Sequence, residues 1–178
     1  MNTHQIYTVL QSDLRVREYN FLGCFPLDRI PDSAKTPPCC MIINKKPHDH
    51  PGEHWVAIIK TEENYGVYFD SFGFPPHHLK EILSTLDQCT GWTHNKTCIQ
   101  SPLTAVCGQY AIFFITHYCR GFTLDHIVSL LYSKDKPAND SFIFNYIKKK
   151  YSQFLFTENL KAIDLSFLYN QISRAINT

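Results

Sequence analysis

The sequence predicts an α+β fold: a central β-sheet flanked by helices, in one domain over residues 1–178. Three observations point there. Short apolar runs bounded by turn residues cluster between positions 39 and 74. Apolar residues at helical spacing fill both ends of the chain. No internal repeat, low-complexity tract or long linker divides it. A chain of 178 residues suits a single domain, and at this size folding buries roughly 70% of the unfolded surface.

Thr3 can cap a first helix with Ile6, Val9, Leu10 and Leu14 on one face. FLGCFPLDRIP (21–31) breaks that helix with glycine and proline, and PDSAKTPP (31–38) reads as a loop. CCMIIN (39–44) reads as a buried strand and KKPHDHPGE (45–53) as a polar loop. HWVAIIK (54–60) and VYFDSFGF (67–74) read as strands around the turn TEENYG, so they can pair as a hairpin. Pro75 and Pro76 end the second. HHLKEILSTLD (77–87) has helical spacing, and THNKTCIQ (93–100) reads as a further strand. VCGQYAIFFITHYC (106–119) is too long and too evenly apolar for a surface helix and reads as a buried one. Thr123 can cap a helix carrying Leu124, Ile127, Val128, Leu130 and Leu131. After a loop at 133–140, residues 140–155 and 157–176 close the chain as helices.

Composition excludes several classes. Hydrophobic residues at 44% against 19% charged argue against disorder. A formal net charge of +1 does not suggest a nucleic-acid-binding face. The N-terminal stretch lacks the apolar run of a signal peptide, and nothing approaches the ~20 apolar residues of a membrane span. Seven cysteines, an odd number, point to a reducing compartment with mostly free thiols. Each is by default a small buried hydrophobe, which any functional role must outweigh.

Cys107 has grounds for such a role. It opens the buried helix, where unpaired backbone N–H groups stabilise a thiolate. Gly108 after it removes a side chain where a substrate backbone has to approach. A thiolate nucleophile needs a base. Of nine histidines, His77, His78, His94 and His126 fall in loops or on polar faces, and His117 lies far along the helix. His54 begins an apolar strand that can hold its ring rigidly. An acid that orients the imidazole is available at Asp70. A hairpin closed by residues 61–66 sets 54 opposite about 73, leaving Asp70 about three positions from direct opposition. Gln100, seven residues before Cys107, can donate an amide N–H to a developing oxyanion beside the Cys107 backbone N–H.

These four residues carry a family likeness. His54–Trp55, the run YFDSFGF with its acid at Asp70, and QSPLTAVCG ending at Gly108 occur in the order His, Asp, Cys. The chain resembles the adenain family, the adenovirus maturation proteases, and more distantly the proteases of ubiquitin-like proteins. The seven-residue gap from Gln100 to Cys107 and the FGF after the acid are similar to the viral branch. FLGCFPLDRIP near the start also looks like a segment of that branch.

The resemblance implies an adenain-like cysteine protease fold with a mixed central sheet. It implies Cys107 as nucleophile, His54 as base, Asp70 as its orienter and Gln100 in the oxyanion hole. Trp55 would then pack beside the imidazole and the substrate; an ordinary half-buried strand aromatic is the alternative. It implies cleavage at Gly-Gly or Gly-x-Gly sites of capsid or core precursors, a viral or virus-like source, and location in the virion and the infected nucleus. A monomer is expected. The family's acid is mostly glutamate in mammalian viruses, whereas Asp70 matches the cellular branch. Adenain uses DNA as a cofactor, which a net charge of +1 does not favour here; Lys148, Lys149 and Lys150 are a local basic run on what reads as a solvated helix face. Adenain is also activated by a peptide joined through a disulfide, and Cys89, eleven residues before Gln100, holds the corresponding place.

Two other functions fit these residues: a protease removing ubiquitin-like modifiers, and an inactive binding module, against which the four filled positions argue. Cys39, Cys40, His48 and His50 also cluster, but adjacent cysteines lack the C-x2-4-C spacing of zinc sites, and no metal is expected.

Overall fold

The structure is a computed structural model that describes residues 1–131 and 135–155. The helix expected over 157–176 lies outside the described residues. Five strands form one mixed sheet: β1 (Phe21–Pro26), β2 (Cys39–Asn44), β3 (Trp55–Lys60), β4 (Tyr65–Phe69) and β5 (Gly91–His94), in spatial order β1-β2-β3-β4-β5. β2, β3 and β4 form an antiparallel meander, and the two outer pairs run parallel. The helices are α1 (Thr3–Ser12), α2 (Leu14–Glu18), α3 (Lys80–Leu86), α4 (Cys107–Tyr118), α5 (Leu124–Ser129), α6 (Lys136–Lys150) and α7 (Ser152–Leu155). The α+β class is as the sequence predicts.

The strand pleat sends alternate residues to opposite faces. Cys40, Ile42, Ala57, Ile59, Val67 and Phe69 pack toward α1 and α4. Cys39, Met41, Ile43, Val56, Ile58 and Tyr68 pack toward α3. With both faces covered, CCMIIN and WVAIIK read as continuous apolar runs rather than alternating ones. α4 is apolar nearly all round because it lies between the sheet and the outer helices. Phe114 stacks on Phe69 with centroids 4.5 Å apart, locking α4 to β4. Truncating such a buried phenylalanine to alanine costs about 3–5 kcal/mol.

Several boundaries differ from expectation for identifiable reasons. Asn2, not Thr3, caps α1; it exchanges hydrogen bonds with Gln5 in a capping box. The helix breaks at Asp13, whose carboxylate caps α2, so Leu14 turns out to solvent. FLGCFP forms an edge strand paired parallel with β2, since its backbone groups find partners there despite Gly23 and Pro26. β4 begins at Tyr65 and ends at Phe69, and β5 occupies 91–94 rather than 93–100. α6 starts at Lys136, where Asp135 caps it and Pro137 sits in its first turn, so the loop expected over 133–140 is shorter. Leu130 is exposed beyond the end of α5.

Candidate active site

The site lies where β3, the end of β4 and the start of α4 meet. The observed register pairs Ala57 with Phe69, one step from the hairpin expected, and β4 stops short of Asp70. A turn over 70–73 follows, closed by Gly73 N–H to Asp70 O at 2.7 Å. Gly73 has φ +73°, and a Cβ there would stand 2.8 Å from the Thr97 backbone carbon. Only glycine suits that left-handed, crowded position. The turn swings Asp70 back toward β3, so that Asp70 Oδ1 lies 2.8 Å from His54 Nε2. The three positions of displacement expected from strand pairing alone are thereby closed.

Asp70 is fixed from every side. Phe72 N–H donates to Oδ1 at 2.8 Å, and Lys45 Nζ donates to Oδ2 at 2.9 Å. Asn95 grips its backbone twice: Asp70 N–H donates to Asn95 Oδ1 at 2.9 Å, and Asn95 Nδ2 donates to Asp70 O at 2.6 Å. Phe72 then stacks on the His54 ring, centroids 4.8 Å apart.

With Nε2 committed to Asp70, the Nδ1 of His54 is left for the Cys107 thiol, which lines the same cleft and lies near enough for the two groups to shift each other's protonation. Cys107 stands at the first position of α4, whose N-cap Val106 supplies no side-chain cap. The opening N–H groups of the helix therefore remain available to an anion. Burial, the largest influence on Cys107, pushes its thiol up. The bond from His54, the Trp55 backbone N–H, the His54 charge and the Gly108 backbone N–H outweigh it and bring the thiol below its ordinary value. Burial likewise pulls His54 down, but the bonds and charges of Asp70 and Cys107 raise it to about 9. On Asp70, burial raises the pKa and the bonds and charges of His54 and Lys45 lower it further, for a net downward shift. The two shifts run toward each other, the thiol down and the imidazole up, which favours a thiolate–imidazolium pair over the neutral one.

Gln100 is 1% exposed and held at both ends of its amide. Ser71 Oγ donates to its Oε1 at 2.6 Å, and its Nε2 donates to Thr104 O at 2.9 Å. The amide carries a second N–H, and Gln100 lines the same cleft as His54 and Cys107. Asp140 on α6 organises the loop between Gln100 and Cys107. It accepts from Ser101 N–H at 3.2 Å, Thr104 Oγ1 at 2.7 Å and Tyr110 Oη at 2.8 Å.

Other expected residues fall in different places. Trp55 lines the cleft beside Cys107 and offers its backbone N–H to the thiolate. A Cβ on Gly108 would meet Ile6 Cδ1 at 3.0 Å and Trp55 Cδ1 at 3.4 Å, so the missing side chain makes room for α1 and Trp55. Cys89 is free and half-buried in the turn before β5, on the α3 face of the sheet, away from the cleft. Cys39 and Cys40 point to opposite faces of β2, while His48 bonds Asp28 and His50 bonds Asp49. Lys148, Lys149 and Lys150 are exposed on the last turn of α6, where they offset the helix dipole. Among the described residues no helix is long and apolar enough to cross a membrane.

Sequence reasoning missed Lys45, Ser71, Phe72, Asn95 and Asp140. Ser71 and Phe72 lie within the run YFDSFGF and follow from the turn that Gly73 signals. Lys45, Asn95 and Asp140 act over 25 or more residues of chain, and no local pattern marks them.

Comparison with known proteins identifies relatives of the chain. The family model of the adenovirus endoprotease matches residues 21–128, a span that holds His54, Asp70, Gln100 and Cys107. The protease of Porcine adenovirus A serotype 3 is 26% identical over 115 residues, 56% of each chain. The protease of Human adenovirus A serotype 12 is 28% identical over 136 residues, 66% of this chain and 65% of that one. The chain thus spans between about half and two thirds of the length of the curated relatives it matches. The central domain of the uncharacterized Lpg1148 protein from Legionella pneumophila shares the fold, with a TM-score of 0.53 at 13% identity, over 87% of this chain and 97% of that one.

Proposed function

The chain belongs to the adenovirus endoprotease family, and on that premise we propose that it is a cysteine endopeptidase with Cys107 as nucleophile, His54 as general base and acid, and Asp70 as orienter. The observation that carries this is the position of His54, bonded to Asp70 through Nε2 at 2.8 Å and lining one cleft with Cys107 and Gln100. The Cys107 thiolate attacks the scissile carbonyl carbon, and the carbonyl electrons move to oxygen. The backbone N–H of Cys107 and the second amide N–H of Gln100 stabilise that oxyanion. As the adduct collapses the C–N bond breaks, and the proton on His54 passes to the leaving nitrogen. A thioester remains. His54 then takes a proton from water, the resulting hydroxide attacks the thioester, and Cys107 leaves as thiolate.

The substrates are protein precursors with Gly-Gly or Gly-x-Gly sites, in the assembly of an adenovirus-like virus or virus-like element. The depth of the nucleophile supports glycine before the scissile bond: Cys107 and His54 are only 8% and 7% exposed. A chain without Cβ atoms next to the scissile bond enters such a space with least displacement. A cysteine-bearing activating peptide would be captured at Cys89, a free thiol outside the cleft. No DNA cofactor is proposed.

The test is cleavage of a peptide library holding Gly-Gly and Gly-x-Gly sites, with product termini read by mass spectrometry. Cleavage by the wild type that Cys107→Ala abolishes is expected. Cleavage unaffected by Cys107→Ala, or none in any peptide with or without activating peptide, rejects the reading.

A further inference from the structure

The cleft at Cys107 divides into two grooves. One passes Phe25 and Trp55; the other passes His54, Phe72, Phe74, Leu79 and Gln100. Lys46, Glu53, Ala105 and Cys107 line both. A polypeptide crossing Cys107 therefore has its acyl half in one groove and its leaving half in the other. The proton transfer decides which is which. When the tetrahedral adduct collapses, the electron pair of the breaking C–N bond stays on nitrogen, and nitrogen takes the proton from His54. The leaving nitrogen must lie within hydrogen-bond reach of that ring. His54 lines the second groove and not the first. The residues that follow the scissile bond accordingly run into the groove of Phe72, Phe74 and Leu79.

The chemistry of that groove is one-sided. The groove, open to solvent on one side and counted together with the cleft at Cys107, has a volume of about 540 Å³ and admits a large side chain. Phe74 is 62% exposed at its wall, and Leu79 is half-buried beside it. The cations at its rim are already paired: Lys45 with Asp70 at 2.9 Å and Lys46 with Glu53 at 2.9 Å. A charged substrate side chain finds no free counter-charge there and loses water against aromatic carbon. A large apolar side chain covers Phe74 and gains by burial. We propose that this groove is a specificity subsite for a large apolar residue immediately after the scissile bond, with Phe74 as its principal wall. This rests on the protease reading above.

The test uses the full chain and quenched peptides that share one Gly-Gly acyl half and carry Leu, Phe, Ser, Asp or Lys next. Leu and Phe peptides are expected to show about tenfold higher kcat/KM than Ser and Asp peptides. Phe74→Asp, at an exposed position where the melting temperature should hold, moves the preference to Lys. Phe74→Leu keeps the apolar preference. Cys107-dependent cleavage that is equal across the series, or an apolar preference unchanged in Phe74→Asp, overturns this inference and leaves the protease reading standing. Absence of any Cys107-dependent cleavage overturns both.

Discussion

Ser71 Oγ donates to Gln100 Oε1 at 2.6 Å, joining the turn that carries Asp70 to the residue proposed to meet the oxyanion. The tie is doubled in the backbone, where Ser71 O accepts from Ile99 N–H at 2.9 Å and Gln100 N–H at 3.1 Å. Ser71→Ala keeps the backbone bonds and leaves the amide held only through Nε2 to Thr104 O. A buried acceptor left unpaired costs about 1–3 kcal/mol. The expected outcome is a kcat roughly tenfold lower with KM little changed, since only a transition-state contact is misplaced. Steady-state kinetics check it, and an equal rise in KM would point to substrate binding instead.

The His54–Cys107 pair sets the pH dependence. Cys107 titrates below its ordinary value and His54 at about 9, so the thiolate–imidazolium form exists between the two. Activity should rise through the depressed Cys107 titration and fall through about 9. The midpoint for labelling Cys107 with iodoacetamide should lie below the free thiol value of ~8.5. His54→Ala removes the partner and should return the labelling midpoint to the free value of ~8.5 or above. A wild-type midpoint already there would sink the ion-pair mechanism.

Asp70 links the site to acid stability. Its folded pKa lies below the unfolded value of ~3.9, so its stabilisation is complete above that value and is lost as pH falls through the folded one. Urea midpoints of the wild type should hold down to about pH 4 and drop below it. Asp70→Asn should lower the plateau by about 3 kcal/mol, because His54 and Lys45 both lose a buried partner. It should also flatten the acid limb. A variant with the wild-type acid limb would show that other carboxylates govern it.

Asp140 acts at a distance from the cleft. Asp140→Ala strips the acceptor from Ser101 N–H, while Thr104 Oγ1 keeps Ser101 O at 3.2 Å and Tyr110 Oη keeps Ile99 O at 3.0 Å. The expected loss is roughly 3 kcal/mol. Calorimetry should show a melting point lower by on the order of 10 °C. Because the loop from Ser101 to Thr104 also holds Gln100, kcat should fall at temperatures where the variant is still folded.

Cys89 offers a separate handle. Cys89→Ser should leave the rate without activator unchanged and abolish activation by a cysteine-containing peptide. The mixed disulfide, seen as a mass increase in the wild type alone, is the direct readout. Normal activation of Cys89→Ser removes this cysteine from consideration.

The elements most legible in the sequence are those whose burial is complete. CCMIIN, WVAIIK and the apolar run after Cys107 each appear as β2, β3 and α4 within a residue or two, because each is covered on all sides and its composition records that. Residue chemistry and order single out His54, Asp70, Gln100 and Cys107; the structure sets His54, Gln100 and Cys107 on one cleft and Asp70 buried behind His54. What the sequence hid depends on pairing across the chain. FLGCFP gives no strand signal of its own, since its partner β2 supplies the hydrogen bonds and Gly23 and Pro26 argue the other way. Asn95 and Asp140 look like ordinary loop and helix polars until the backbone they hold is seen beside them.

The dependence of the 101–104 loop on α6 has a consequence for synthesis. The ribosome delivers the sheet with His54 and Asp70 first, the nucleophile after them, and the carboxylate that shapes its loop later still. A nascent or truncated chain ending before Asp140 thus holds all four site residues without the anchor of their loop, and the order of delivery leaves the shaping of that loop to one of the last helices made.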